Sequence, residues 1–168
     1  MAKTLVPDWV FNSFGEITPD FLKENNIKAL LCDVDNTLSP YEHPTPSGEV
    51  RSWIENMQAN GIKIALVSNN HMDRISKYNE EMKLVAFYDA KKPSRRAYFK
   101  AAEELSVAIF DCAVLGDQLL TDCWSARRLG IRAIIVPPIN DKKDLFHRFK
   151  RLVEVPFMCA YRARKDKK

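Results

Sequence analysis

No apolar run in the chain approaches the ~20 residues needed to cross a bilayer, so a membrane-spanning helix is excluded. The first thirty residues carry Asp8, Glu16, Asp20 and Glu24 and lack a basic start followed by an apolar block. Neither a secretory nor an organellar signal is therefore expected, and the cytoplasm is the expected location. Cysteine is scarce: Cys32, Cys112, Cys123 and Cys159 show no C-x-x-C or Cys/His spacing, so a disulfide framework and a structural zinc site are not expected. Two of the four, Cys32 and Cys112, fall inside predicted strands, where a thiol behaves as a small buried apolar group. There is no internal repeat, low-complexity block or linker, which excludes a repeat architecture.

The chain does have an ordinary globular balance, with 46% hydrophobic and 29% charged side chains in 168 residues. That length fits one domain over residues 1–168, able to bury roughly two-thirds of its unfolded surface. Charge is unevenly spread: residues 1–140 hold 16 basic and 18 acidic side chains, whereas residues 141–168 hold 10 basic and 4 acidic, so the overall +4 comes from the C-terminus. A basic helix and tail at about 141–168 is expected, with Leu145, Phe149 and Leu152 as its inward stripe. Such a segment is either a solvated face or a contact for anionic lipid headgroups. No aromatic or base-reading motif accompanies it, which disfavours nucleic acid as a partner.

Short apolar runs alternate with longer amphipathic stretches, the pattern of an α/β fold with a parallel sheet. The runs Ala29–Cys32, Ile62–Val67, Leu84–Tyr88, Cys112–Leu115 and Ile131–Val136 are rich in aliphatic residues, as expected of strands covered on both faces. Five strands are predicted. Between them, Ser47 reads as the N-cap of a helix with Val50, Trp53, Ile54 and Met57 on one face and Gly61 just past its end. Further helices are expected over about His71–Met82, after Lys92-Pro93-Ser94 with Tyr98, Ala101, Ala102 and Leu105 inward, and over about Asp122–Leu129 before Gly130. The N-terminal aromatics Trp9, Phe11, Phe14 and Phe21 are expected to pack on the sheet as core.

Open α/β sheets bind ligands beyond the carboxyl ends of their strands. The polar residues that follow the apolar runs are far from random. The first run ends at Asp33 and Asp35, the second at Ser68-Asn69-Asn70, the third leads to Lys91-Lys92, and the fourth ends in Gly116-Asp117 with Asp122 five residues on. Four carboxylates on one rim repel strongly, and the economical compensation is a hard divalent cation, Mg²⁺, with one lysine ammonium. A nucleophile, a proton donor and positive charge around phosphate oxygens are the parts that phosphoryl transfer requires. Taken singly, Ser68 reads as a helix cap, Lys92 as a surface lysine and Asp122 as a helix N-terminal carboxylate. At successive strand ends they read as a catalytic set. His43 and His71 are read as solvated loop histidines outside it.

On these residues the chain resembles the haloacid dehalogenase-like (HAD) phosphatase superfamily, whose four dispersed motifs match in order across residues 33–122. The resemblance implies a three-layer Rossmann-like core around a central five-stranded parallel sheet. It implies Asp33 as the covalent nucleophile and a Mg²⁺ ligand, and Asp35 as the acid and then the base, with its backbone carbonyl toward the metal. It further implies Thr37 holding the motif loop, Ser68 and Asn69 at the phosphate, Lys92 neutralising the nucleophile and the phosphoryl charge, and Asp117 and Asp122 on the metal. Lysine directly before proline selects Lys92 over Lys91.

The intervals 38–67 and 69–91 hold only one helix and one strand each, too short for an inserted cap domain. An open rim admits a phosphate carried on something bulky, unless another subunit supplies a lid. The closer resemblance is to the small capless YqeG-like branch, on Ile17-Thr18-Pro19, Asp35-Asn36-Thr37-Leu38, Val67-Ser68-Asn69-Asn70, Lys92-Pro93, Gly116-Asp117-Gln118, Thr121-Asp122 and Arg128-Leu129-Gly130. Cys123 and Trp124 stand where that pattern has aliphatic residues. The branch is related to mitochondrial phosphatases that convert phosphatidylglycerophosphate to phosphatidylglycerol. The expected substrate is therefore a phosphomonoester, lipid-borne in the favoured reading, with the basic C-terminus against an anionic membrane. The alternatives are a soluble sugar phosphate or other small phosphomonoester, and a catalytically quiet scaffold that binds a protein or RNA partner. A receiver domain shares the aspartate, metal and lysine but lacks the acid/base that Asp35 supplies.

Overall fold

The computed structural model describes residues 5–140 and 155–163. Its centre is a six-stranded, wholly parallel sheet: β1 (Trp9–Val10), β2 (Ala29–Cys32), β3 (Lys63–Val67), β4 (Val85–Phe87), β5 (Cys112–Gly116) and β6 (Arg132–Ile135), in spatial order β1-β6-β5-β2-β3-β4. Five of these follow the predicted apolar runs. The sixth corrects the expectation of five: Trp9-Val10 does more than pack on the sheet, because it extends the edge by pairing with Ile134 and Ile135. Two residues are too short to announce a strand by alternation.

Five α-helices connect the strands: α1 (Pro19–Glu24), α2 (Gly48–Ala59), α3 (Met72–Asn79), α4 (Arg96–Glu104) and α5 (Trp124–Leu129). Their ends follow local chemistry. Thr18 caps α1 by accepting from Phe21 N at 3.2 Å, with Pro19 at the first helical position, and Ser47 caps α2 by accepting from Val50 N at 3.3 Å. Gly130 closes α5 in the left-handed conformation at φ 76°, which costs glycine least. The expected helix from Asp122 is shortened. Residues Leu119–Cys123 form a single π-helical turn, and regular α-helix begins only at Trp124.

Side chains along each strand alternate between two cores. Leu30, Cys32, Ile64, Leu66 and Leu115 face a layer with Leu22, Trp53, Met57, Ile75 and Tyr78 from α1, α2 and α3. Ala29, Leu31, Ala65, Val67 and Val114 face Ala97, Tyr98, Ala101, Ala126 and Leu129 from α4 and α5. This period of two places helices on both faces and explains why the strands read as continuous apolar runs. The N-terminal aromatics join the first layer through edge-to-face contacts: Trp9 and Phe11 each meet Phe21, and Phe14 meets Trp53. The Trp53 indole also donates to the Ile17 carbonyl at 3.0 Å, tying this segment to α2.

The chain leaves β2 for β3 and β4 on one side, then crosses to β5 and β6 on the other. The reversal falls between β2 and β5, and a crevice beyond the carboxyl ends of these strands is where such sheets take ligands. Among the described residues, the segments between β2 and β3 and between β3 and β4 carry only α2 and α3, so no cap lies over that crevice. No described helix is long and apolar enough to cross a membrane. The predicted stripe Leu145, Phe149 and Leu152 lies outside the described residues. Residues 155–163 are helical, and Tyr161 there accepts a hydrogen bond from Val10 N at 3.1 Å.

Candidate active site

Four strand ends deliver the predicted residues to one place. Asp33 follows β2 directly and is fixed by its backbone N–H, which donates to Leu115 O of β5 at 2.8 Å. The chain then turns sharply: Thr37, Leu38 and Ser39 all donate to Val34 O, and Asn36 takes a left-handed conformation at φ 64°. Asparagine tolerates that geometry. The turn returns the Thr37 hydroxyl to Asp33 Oδ2 at 3.0 Å and to Asp117 Oδ1 at 3.4 Å, bridging two carboxylates from different strands.

Lys92 arrives from the loop after β4, where Asp89 and Lys91 also have positive φ and the Lys92-Pro93 bond is cis. Lys92 is buried and Lys91 exposed, so the lysine before the proline is the one that enters. Its ammonium donates to Asp33 Oδ1 at 2.5 Å and to Asp122 Oδ1 at 2.8 Å. The side-chain oxygen of Asn69 accepts from Lys92 N at 2.6 Å and holds that backbone in place.

Asp122 sits in the π-helical turn. Its Oδ2 accepts from Gln118 N at 3.3 Å and Thr121 Oγ1 at 3.2 Å. It packs so closely on Gly116 that a Cβ there would lie 2.2 Å from Asp122 Cγ. Glycine is therefore demanded by space.

Oxygens of Asp33, Asp117 and Asp122 lie within 4.8 Å of one another, and all three residues are buried. Three carboxylates against one ammonium leave two negative charges uncompensated, and burial makes that costly. The titration behaviour follows. Burial, then the charges of Asp33 and Asp122, push Asp117 up to about 8. Burial pushes Asp122 up to about 6 against the pull of Lys92. Burial disfavours the Lys92 ammonium, but Asp122 and Asp33 hold its pKa well above the usual lysine value. The trio fits a divalent cation: the missing charge is two, and the donors are hard oxygens. Cys32 adjoins Asp33, yet burial, with the Asp33 charge added, raises its pKa far above the usual thiol range, so it offers no thiolate.

Asp35 stands apart from the metal trio. Its side chain lines the cleft, with Oδ1 held by Arg74 Nη2 at 2.9 Å and Oδ2 by Asn70 Nδ2 at 2.9 Å. Arg74 also reaches Pro44 O and lies 5.2 Å from the centre of the Tyr78 ring. Ser68 is buried, and its Oγ accepts from Asn70 N at 3.0 Å, which leaves its own proton to be donated elsewhere. Asp33, Asp35, Ser68, Asn69, Lys92 and Asp122 share one cleft of about 440 Å³, with Tyr41 and His71 on its wall. The His71 ring pairs with Asp89 at 3.0 Å. Reading strand ends alone misses Arg74 and Asn70 as partners of Asp35. The signal available was position: both follow β3 closely, and Arg74 lies in the first turn of α3.

Comparison with known proteins agrees with this geometry. Residues 10–136 match the haloacid dehalogenase-like hydrolase family. The chain is 35% identical to "Probable phosphatase YqeG" of Bacillus subtilis (strain 168), over 95% of this chain and 93% of that protein. Among solved structures, an uncharacterized protein from Listeria monocytogenes serotype 4b superimposes with TM-score 0.55 at 16% identity, covering 70% of this chain and 85% of that one. CbbY from Rhodobacter sphaeroides in complex with phosphate gives TM-score 0.54 at 16% identity, covering 71% and 90%. These two likenesses show a shared fold. With the family pattern spanning β1 to β6 and its acids meeting at one rim, the chain belongs to the haloacid dehalogenase-like hydrolases.

Proposed function

We propose that this protein is a Mg²⁺-dependent phosphomonoester hydrolase that works through an aspartyl-phosphate on Asp33. The observation that carries the reading is the approach of Asp33, Asp117 and Asp122 within 4.8 Å, with Lys92 Nζ 2.5 Å from Asp33. Asp33, Asp117 and Asp122 would hold the ion, together with the Asp35 backbone carbonyl. When bound, Mg²⁺ supplies positive charge to the phosphate oxygens.

The remaining work falls to the chain. Lys92 directs Asp33 through the hydrogen bond to its Oδ1, and an Asp33 oxygen attacks phosphorus as the bond to the leaving oxygen breaks. Asp35 gives its proton to that oxygen. Water then attacks the same phosphorus, Asp35 takes its proton, and the bond to Asp33 breaks to release phosphate. Ser68 and Asn69 serve the phosphate group, the Ser68 hydroxyl through the proton it does not spend on Asn70. Thr37 holds Asp33 and Asp117 in register.

The favoured substrate is a phospholipid monoester, phosphatidylglycerophosphate, met by a protein held at a membrane surface from the cytoplasmic side. The open rim supports this, since nothing among the described residues closes over a bulky leaving group. A phosphate-release screen of the purified protein with Mg²⁺ against phosphatidylglycerophosphate and soluble phosphomonoesters tests it. Release from the lipid exceeding that from sugar phosphates is expected. Selective release from a soluble sugar phosphate overturns the lipid assignment, and no release from any ester overturns the activity.

A further inference from the structure

Beside the cleft lies a surface that the chemistry does not use. Residues 91–100 contain five cations and no acid, and residues 123–132 contain three cations and no acid. Lys92 is buried in the site, but Lys91, Arg95, Arg96, Lys100 and Arg128 are exposed. None of these five has an ion pair within 4 Å among the described residues. Two large apolar side chains sit among them, Phe99 and Trp124, each 45% exposed.

The two segments form one patch. Phe99 lies one turn beyond Arg95, its N–H donating to Arg95 O at 3.1 Å. Trp124 and Arg128 are four residues apart on α5 and share a face. Arg128 Nη1 donates to Pro93 O at 2.9 Å, which fastens that face to the loop before α4. The same loop carries Lys92 to Asp122, two residues before Trp124. The patch therefore borders the entrance to the cleft.

We infer that Lys91, Arg95, Arg96, Lys100, Phe99 and Trp124 form a dock for an anionic lipid bilayer that sets the cleft against the headgroup layer. This rests on the proposed lipid-borne substrate and moves the membrane contact from the basic C-terminus to the catalytic rim. The chemistry is complementary: cations meet anionic headgroups, while an indole and a phenyl ring enter the interfacial layer, where such side chains are favoured. A single-stranded nucleic acid would use the same cations and rings; the open rim and the lipid-borne phosphate proposed for it favour the bilayer, and the test separates the two.

Vesicle partitioning of the full chain, with tryptophan quenching by brominated phosphatidylcholine, tests the dock. Vesicles of phosphatidylglycerol with phosphatidylcholine should bind at low salt and release at high salt, and pure phosphatidylcholine should not bind. Each cation near such a surface contributes roughly fivefold in partitioning, so the combined Arg95→Gln, Arg96→Gln, Lys100→Gln variant should bind about a hundredfold more weakly. Its turnover of a soluble phosphomonoester should be unchanged. Quenching should fall in Trp124→Phe, since Trp53 is buried and Trp9 half-buried. Equal binding by the triple variant, quenching that survives Trp124→Phe, or capture of an RNA oligonucleotide with vesicles ignored would each overturn the dock. Soluble turnover reports separately on the phosphatase, so the two readings fail separately.

Discussion

Replacing Gly116 by alanine should cripple the site without replacing any group that performs chemistry, by pressing on Asp122. The added methyl would lie 2.2 Å from Asp122 Cγ and 2.4 Å from its Oδ2. That is roughly 1.3 Å short of a comfortable carbon–carbon contact. Neither side yields easily. The Gly116 backbone is locked in β5, paired with Ile135 and accepting from Val136 N at 3.0 Å. The Asp122 carboxylate is held by Lys92, Gln118 N and Thr121. Overpacking a core costs about 1–3 kcal/mol, and parting a buried ion pair costs about 3–5 kcal/mol. A partly relaxed site should therefore lose about 3 kcal/mol, which lowers Tm by about 6–12 °C for a chain of this size. If Asp122 moves by about 1 Å, turnover should fall on the order of a hundredfold. Thermal denaturation and phosphate release at saturating Mg²⁺ measure both. Wild-type stability together with wild-type turnover would refute the reasoning.

Metal affinity should rise with pH. Asp117 and Asp122, raised to about 8 and about 6, must lose their protons to bind a cation. Between pH 6 and 8 affinity should gain up to about tenfold per pH unit for each proton displaced, and calorimetric Mg²⁺ titrations at the two ends check it. The stability sign follows from the same groups. Their folded pKa values exceed the unfolded ones, so the metal-free fold should lose stability as pH climbs from about 4 to 8, and Mg²⁺ should restore it. The coupling energy between Arg74 and Asp35, read from a double-mutant cycle on kcat, should fall within about 0.5–3 kcal/mol; additive effects would deny the contact a role. Trp53→Phe strands the Ile17 carbonyl and should cost about 1–3 kcal/mol in urea denaturation, with no change in KM.

How much could be read in advance depended on how continuous the signal was. Leu30 and Leu31 are fully buried from opposite sides, so β2 reads as an unbroken apolar run whose end marks the rim. The acids after it, the hydroxyl after β3 and the Lys-Pro pair are legible because each follows such a run. Trp9-Val10 offers no run, only an edge made available by β6. The π-helical turn was hidden for another reason: Asp122 fits an α-helical N-terminus equally well by composition, and only the i→i−5 backbone bonds from Cys123 N to Gln118 O and from Trp124 N to Leu119 O distinguish the two. Arg74 is an ordinary charged residue in the sequence, and its hold on Asp35 spans 39 positions.

The central claim is that Asp33 accepts phosphorus. Incubating Asp35→Asn with Mg²⁺ and p-nitrophenyl phosphate, whose leaving group departs without needing the Asp35 proton, quenching in acid and mapping phosphopeptides by mass tests it directly. The phosphate should accumulate on the peptide containing Asp33, should turn over in the wild type, and should be absent when Asp33 is replaced by asparagine. Undiminished phosphate release by Asp33→Asn, or a phosphate found on another residue, would contradict it.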